Sequence, residues 1–155
     1  MLSSLFETET PLLQLTLRLC LALVFGGMIG IEREIKKRPA GLRTNMMVSL
    51  AAALFTLLAV ELIGDSQEAD NIMRVDPLRT IEAVIAGVAF LGAGAIIRGG
   101  DDVKGLTTGA SLWVSGAIGV ACGGGYYTIA MIATILAVIV LYVIGVLEDR
   151  LSKRD

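Results

Sequence analysis

Residues 11–31 read PLLQLTLRLCLALVFGGMIGI, a run of apolar and small side chains with Arg18 as its one charge. A bilayer hydrocarbon core about 30 Å thick needs about 20 helical residues at about 1.5 Å each. The stretch meets that length. Applied along the chain, the same ruler finds four more segments, at residues 44–63, 77–97, 106–122 and 126–147. The expected fold is therefore all-α, a polytopic bundle of five transmembrane helices. Two starts carry a second signal. Thr10-Pro11 and Asp76-Pro77 each set a capping oxygen before a proline at the first helical position. The fourth segment is short and holds Gly109, Gly116 and Gly119, so it is expected to be either partly unwound or held by its neighbours.

Composition agrees with the segments. The chain has 155 residues, 55% hydrophobic and 18% charged, with a mean hydropathy of +0.76. Soluble domains carry about 25% charged residues. A net charge of -2 leaves no basic surface to offset phosphates, which argues against nucleic acid as a partner. Histidine is absent, and with it any His-based triad, His metal ligand or imidazole switch. Cys20 and Cys122 are far apart and sit inside apolar blocks, which reads as two small buried side chains. Residues 1–10 carry Glu7 and Glu9 and no basic side chain, unlike a signal peptide.

Basic residues give the expected direction of threading. Arg33, Lys36, Lys37, Arg38 and Arg43 lie after the first span, Arg98 and Lys104 after the third, and Arg150, Lys153 and Arg154 in the tail. The other side has Arg74 and Arg79. Ten against two, with an odd number of spans, puts the N-terminus outside and the C-terminus in the cytoplasm.

Small residues mark where membrane helices approach closely. Thr107, Ser111, Ser115, Gly119 and Gly123 form a stripe that makes the fourth span the expected centre of the bundle. Gly26 and Gly30 mark the first span, and Gly87, Gly92 and Gly94 with Ala86, Ala89, Ala93 and Ala95 the third. The fifth has a narrow stripe at Ala130, Ala133 and Ala137, so most of it should face lipid. Gly92-Ala93-Gly94 follows no strand and is not a nucleotide loop. Trp113 reads as a core or interface anchor.

Charges at membrane depth are costly and mark buried pairs or functional sites. Arg18, Glu61 and Glu82 all fall in the outer half under this threading, so Arg18 is expected to pair with Glu82 or Glu61. Asp65, Glu68, Asp70 and Asp76 make the loop after the second span acidic. Such a rim concentrates cations, hydrated Mg²⁺ among them, which makes Glu61, Glu82 and Asp76 weak metal candidates; the plainer alternative is a solvated loop. On the inner side, Glu32, Arg33 and Glu34 face the Arg98 to Thr108 loop, either as a salt-bridge network or as a contact surface.

Three ordered blocks carry a family resemblance: Gly30-Ile-Glu32-Arg33 with Arg38-Pro-Ala-Gly41-Leu-Arg43-Thr-Asn45; Asp76-Pro with Arg79, then Gly92-Ala-Gly94 leading to Arg98; and Gly105-Leu-Thr107-Thr108 with Trp113, ending at Cys122. Over roughly residues 24–127 the chain resembles the MgtC/SapB family of bacterial membrane proteins. The resemblance implies a bacterial inner-membrane protein linked to growth under low Mg²⁺. For the best-known members it also implies regulation of the F-type ATP synthase rather than Mg²⁺ transport. Many relatives carry Gln where this chain has Ala83 and a small residue where it has Glu82. Many also continue into a soluble cytoplasmic domain, so residues 1–155 are expected to form one transmembrane domain with no soluble C-terminal domain. The expected role is a non-enzymatic regulator or interaction protein without cofactor, in contact with lipid and possible as a homodimer. An ion or small-solute conductor is the alternative, and an intramembrane enzyme ranks last.

Overall fold

A computed structural model of the chain describes residues 8–68, 76–99 and 102–146. Five helices form its body: α1 (Leu12–Ile35), α2 (Leu42–Glu68), α3 (Pro77–Ala95), α4 (Leu106–Gly123) and α5 (Tyr127–Ile139), the last followed by a π-helical stretch, Val140–Ile144. Five helical segments among the described residues are long and apolar enough to cross a membrane. The expected helix bundle is therefore present. Asp70, Arg74, Arg150, Lys153 and Arg154 lie outside the described residues.

Several boundaries differ from the hydropathy reading. Charged Glu32, Arg33 and Glu34 continue α1 to Ile35 instead of ending it near residue 31. The helix closes in a Schellman arrangement, with Arg38 N donating to Arg33 O at 2.9 Å and Lys37 N to Glu34 O at 3.1 Å. This puts Lys37 at φ 51°, a position that usually takes glycine. Helix α3 stops at Ala95, two residues early, because β1 (Ile97–Gly99) pairs antiparallel with β2 (Asp102–Lys104), Arg98 opposite Val103. That small hairpin was not expected.

The two proline caps have different outcomes. Asp76 accepts from Leu78 N at 2.9 Å ahead of Pro77, as the sequence indicates. At α1 the N-cap is Pro11 itself, with no side-chain cap. Thr10 N instead donates to Glu61 Oε1 at 3.1 Å, and Glu9 N to Glu61 Oε2 at 2.8 Å.

Helix α4 is continuous and touches all four other helices, so of the two expectations for it the structure shows the helix held by its neighbours. In its membrane-length span 56% of residues are buried, against 28% or less in the others. Its glycines are places of close approach. A Cβ at Gly116 would stand 2.9 Å from Val88 Cγ2, and one at Gly119 would overlap the Ser49 carbonyl. Ser111, Ser115, Gly119 and Gly123 of the expected stripe are buried, but Thr108 is buried in place of exposed Thr107. On α1, Gly26 and Gly30 pack against Asn45 and Leu42 of α2.

Other small residues pack less than expected. Gly92 faces Gly109, but among the described residues Gly87 and Gly94 have nothing within 4 Å, and Ala86, Ala89 and Ala93 are exposed. Most of α3 thus lies open. Ala130 and Thr134 are buried, with Ala133, Ala137 and Val138 packed beside them, and most of the remaining α5 side chains face outward. Cys122 is fully buried, whereas Cys20 is exposed on α1. Two apolar clusters flank α4: Ala22, Ile29, Ala53, Ile118, Cys122 and Ala130 on one side, and Val48, Ala52, Val84, Val88 and Leu112 on the other.

Candidate functional site

Burying polar atoms in a bundle of this kind is costly unless they are hydrogen-bonded. Two such pairs here, Arg33 with Thr108 and Asn45 with Ser115, join helices. Asn45, fully buried on α2, donates through Nδ2 to Ala40 O at 2.6 Å and Gly41 O at 2.9 Å, and accepts from Ser115 Oγ of α4 at 2.8 Å. Ser111 donates to Thr108 O at 2.8 Å. Arg33 is only 4% exposed; its Nη2 donates to Thr108 Oγ1 and reaches Pro39 O at 3.5 Å.

The first and third sequence blocks meet at this end of the bundle. A cavity of about 670 Å³ is lined by Glu32, Arg33, Lys36 and Arg38, by residues 103–108, and by Val140, Leu141, Ile144 and Gly145. Gly105 starts α4 with φ 91°, and a Cβ there would collide with the Ala95 carbonyl, so only glycine lets the chain turn from hairpin into helix. The N–H groups of the first turn of α4 open beside Arg33, where the helix dipole favours negative charge. Glu32 Oε1 is paired with Lys36 Nζ at 3.0 Å, and the pair of Lys104 with Asp102, at 4.0 Å, lies within the hairpin. Both of these ion pairs are local, and at this end of the bundle the bond from Arg33 to Thr108 ties α1 to α4. Of the remaining block residues, Arg43 and Arg98 are exposed, and Gly41 packs against the Glu34 carboxylate.

The opposite end holds Arg18, Glu61, Asp76 and Glu82. Arg18 Nη1 donates to Gly123 O at 3.0 Å, the carbonyl end of α4. It lies within electrostatic reach of Glu61 but closes no ion pair with it among the described residues. Glu82 is exposed on α3, so the expected ion pair of Arg18 with Glu61 or Glu82 does not form. A helix end supplies the compensating negative charge instead. Of the metal candidates, Glu61 holds the Glu9 and Thr10 amides and Asp76 caps α3. No group of three or more His, Cys, Asp or Glu able to hold a metal gathers among the described residues.

Between α2 and α3 a lateral groove of about 810 Å³ is lined mainly by apolar residues from Val48 to Leu62 and from Ala83 to Leu91, with Asp76 and Arg79 at its mouth. Trp113 is half exposed on the outer face of α4, beside Ile81, Val84 and Ile85 of α3, and is not a core residue. Sequence reasoning missed the part taken in the cavity by the π-helical stretch after α5, because nothing local signals that Val140 and Ile144 line the same space as α1 and the start of α4.

The sequence profile of the MgtC family matches residues 19–150. A Brucella abortus protein named MgtC is 42% identical over 123 residues, covering 78% of this chain and 48% of the relative. A Haemophilus influenzae protein is 36% identical over 123 residues, covering 79% and 52%. An Escherichia coli K12 protein named putative magnesium transporter YhiD is 35% identical over 139 residues, covering 90% and 64%. The chain spans about half the length of the first two relatives and somewhat under two thirds of the third. No solved structure matches it. With its five apolar helices and the profile match over most of its length, the chain is a multi-pass membrane protein that belongs to the MgtC family.

Proposed function

We propose that this protein is a non-enzymatic component of Mg²⁺ homeostasis in the bacterial inner membrane, acting by contact with other membrane machinery. One observation carries the contact reading. The buried polar side chains Arg33, Asn45, Thr108, Ser111 and Ser115 are bonded to one another or to backbone and hold the helices together, while the apolar groove between α2 and α3 stays open at the side of the bundle. A bundle tied together by these bonds, with an open apolar flank, suits a protein that binds within the membrane. The Mg²⁺ link is supported by the names of the relatives, MgtC and putative magnesium transporter. Family resemblance makes the F-type ATP synthase the first partner to test, and a second copy of the chain the next. The excess of Lys and Arg after spans one and three supports an external N-terminus and a cytoplasmic C-terminus.

The test is twofold. Purified protein in liposomes is expected to carry no Mg²⁺ or proton flux above that of empty vesicles, and cross-linking in cells is expected to recover a membrane partner, ATP synthase subunits first. Flux that Glu82→Gln abolishes would establish the conductor instead.

A further inference from the structure

Two residues that line the cavity at the α1–α2 turn carry buried polar atoms of opposite hydrogen-bonding sense, neither with a partner among the described residues: Arg33 Nε, a donor, and Glu32 Oε2, an acceptor. Arg33 is more than nine-tenths buried, so its unpartnered donor is shielded from bulk water. Beside it opens the first turn of α4, an 18-residue helix whose N-cap, Gly105, offers no side-chain oxygen. Its amide donors and dipole favour an anion. Arg33, Lys36, Arg38 and Lys104 against Glu32 leave the lining with a surplus of positive charge. Arginine and helix amides together suit the several acceptor oxygens of a phosphate.

From these observations we infer that the cavity binds a phosphate ester whose alcohol part carries a hydrogen-bond donor, the phosphate against Arg33 and the α4 N-terminus and the donor against Glu32 Oε2. Phosphatidylglycerol and phosphatidylethanolamine have this headgroup chemistry, as do the water-soluble esters sn-glycerol 3-phosphate and O-phosphoethanolamine. The apolar wall of Val140, Leu141 and Ile144 suits acyl chains entering beside the headgroup. Phosphatidylcholine shares the phosphate, but its quaternary ammonium has no N–H to give. The inference is independent of the Mg²⁺ reading, because it concerns a ligand of the cavity and not a partner of the groove.

Delipidated full-length protein would be offered phosphatidylglycerol, phosphatidylethanolamine and phosphatidylcholine in native mass spectrometry. The two soluble esters would be titrated separately while thermal unfolding is followed. Either donor-bearing lipid is expected to be retained about tenfold over phosphatidylcholine. Arg33→Gln also removes the bond to Thr108 and so threatens the fold, so Thr107→Glu carries the test. A carboxylate in the first turn suits the helix dipole and should leave ligand-free stability unchanged or raised, while repelling a phosphate and cutting retention about tenfold. Arg38→Gln, on the exposed rim, should weaken binding by a smaller factor. A lipid source predicts retention with no response to the soluble esters. A soluble source predicts ester-dependent stabilisation that Thr107→Glu removes. Equal retention of all three lipids without an ester response, or binding that Thr107→Glu leaves unchanged, would overturn the assignment.

Discussion

Ser115 of α4 donates its hydroxyl to Asn45 Oδ1 of α2 across 2.8 Å, with both side chains fully buried. The same amide holds the carbonyls of Ala40 and Gly41 at the start of α2, so one side chain joins the α1–α2 turn to the central helix. Hydrogen bonds between membrane helices are worth about 0.6 kcal/mol on average and up to about 1.7. Ser115→Ala should therefore cost on the order of 1 kcal/mol. Asn45→Leu, which also releases the two carbonyls, should cost more. Thermal unfolding in detergent checks the order; equal midpoints for the two variants would show that the turn does not depend on Asn45.

Glycines on α3 and α4 look alike in sequence and should behave in opposite ways. At Gly119 a Cβ would overlap Ser49 O and lie 2.8 Å from Ala52 Cβ. Overpacking of this kind costs about 1–3 kcal/mol, so Gly119→Ala should lower the unfolding temperature. At Gly87 nothing among the described residues lies within 4 Å. Gly87→Ala should be neutral or stabilising by up to about 1 kcal/mol from helix propensity.

That contrast marks what the sequence could convey. Five blocks of about 20 apolar residues are set by bilayer thickness, so the helices were legible from one-dimensional information. Spacing by four put Ser111, Ser115 and Gly119 on one face of α4, and that face is buried. Spacing does not say which neighbour arrives, so Gly87 and Gly92 were indistinguishable before α4 was in place. Arg18 illustrates a second limit. A charge count looks for a carboxylate, whereas its partner is a backbone carbonyl 105 residues away. The cavity lining was half visible: Glu32, Arg33, Arg38, Thr107 and Thr108 were in the quoted blocks, but their meeting depends on how α1 packs on α4.

Arg18 compensates the C-terminal end of α4, whose last turn has no basic residue of its own. Arg18→Leu should cost about 1–2 kcal/mol through the lost dipole and hydrogen-bond contributions, and Arg18→Lys less. A double-mutant cycle of Arg18→Leu with Glu82→Gln should be additive within about 0.5 kcal/mol. Coupling above that value would restore the carboxylate pair.

Lys37 closes α1 in the left-handed region, at φ 51°. A Cβ is unfavourable there, and glycine is the usual occupant of this position in a Schellman motif. Lys37→Gly should raise stability by about 0.5–1 kcal/mol in thermal unfolding. A loss would mean that the Lys37 side chain makes a contact worth more than the strain relieved.

Trp113 is the protein's one tryptophan, so intrinsic fluorescence excited selectively at the indole reports a single place. It lies near the middle of α4 and is 49% exposed, on the face that meets the open side of α3. Tryptophan more often occupies the membrane–water boundary. In proteoliposomes at low protein density, lipids brominated deep in the acyl chain should quench Trp113 more than lipids brominated near the headgroup. Trp113→Phe should change stability by less than about 1 kcal/mol, because half of the ring has no protein around it to lose. If deep bromines fail to quench while the helices remain folded, something other than lipid covers this face. A second copy of the chain is then the first occupant to test, by repeating the measurement across a range of protein-to-lipid ratios: quenching that returns on dilution would identify a reversible dimer contact at Trp113.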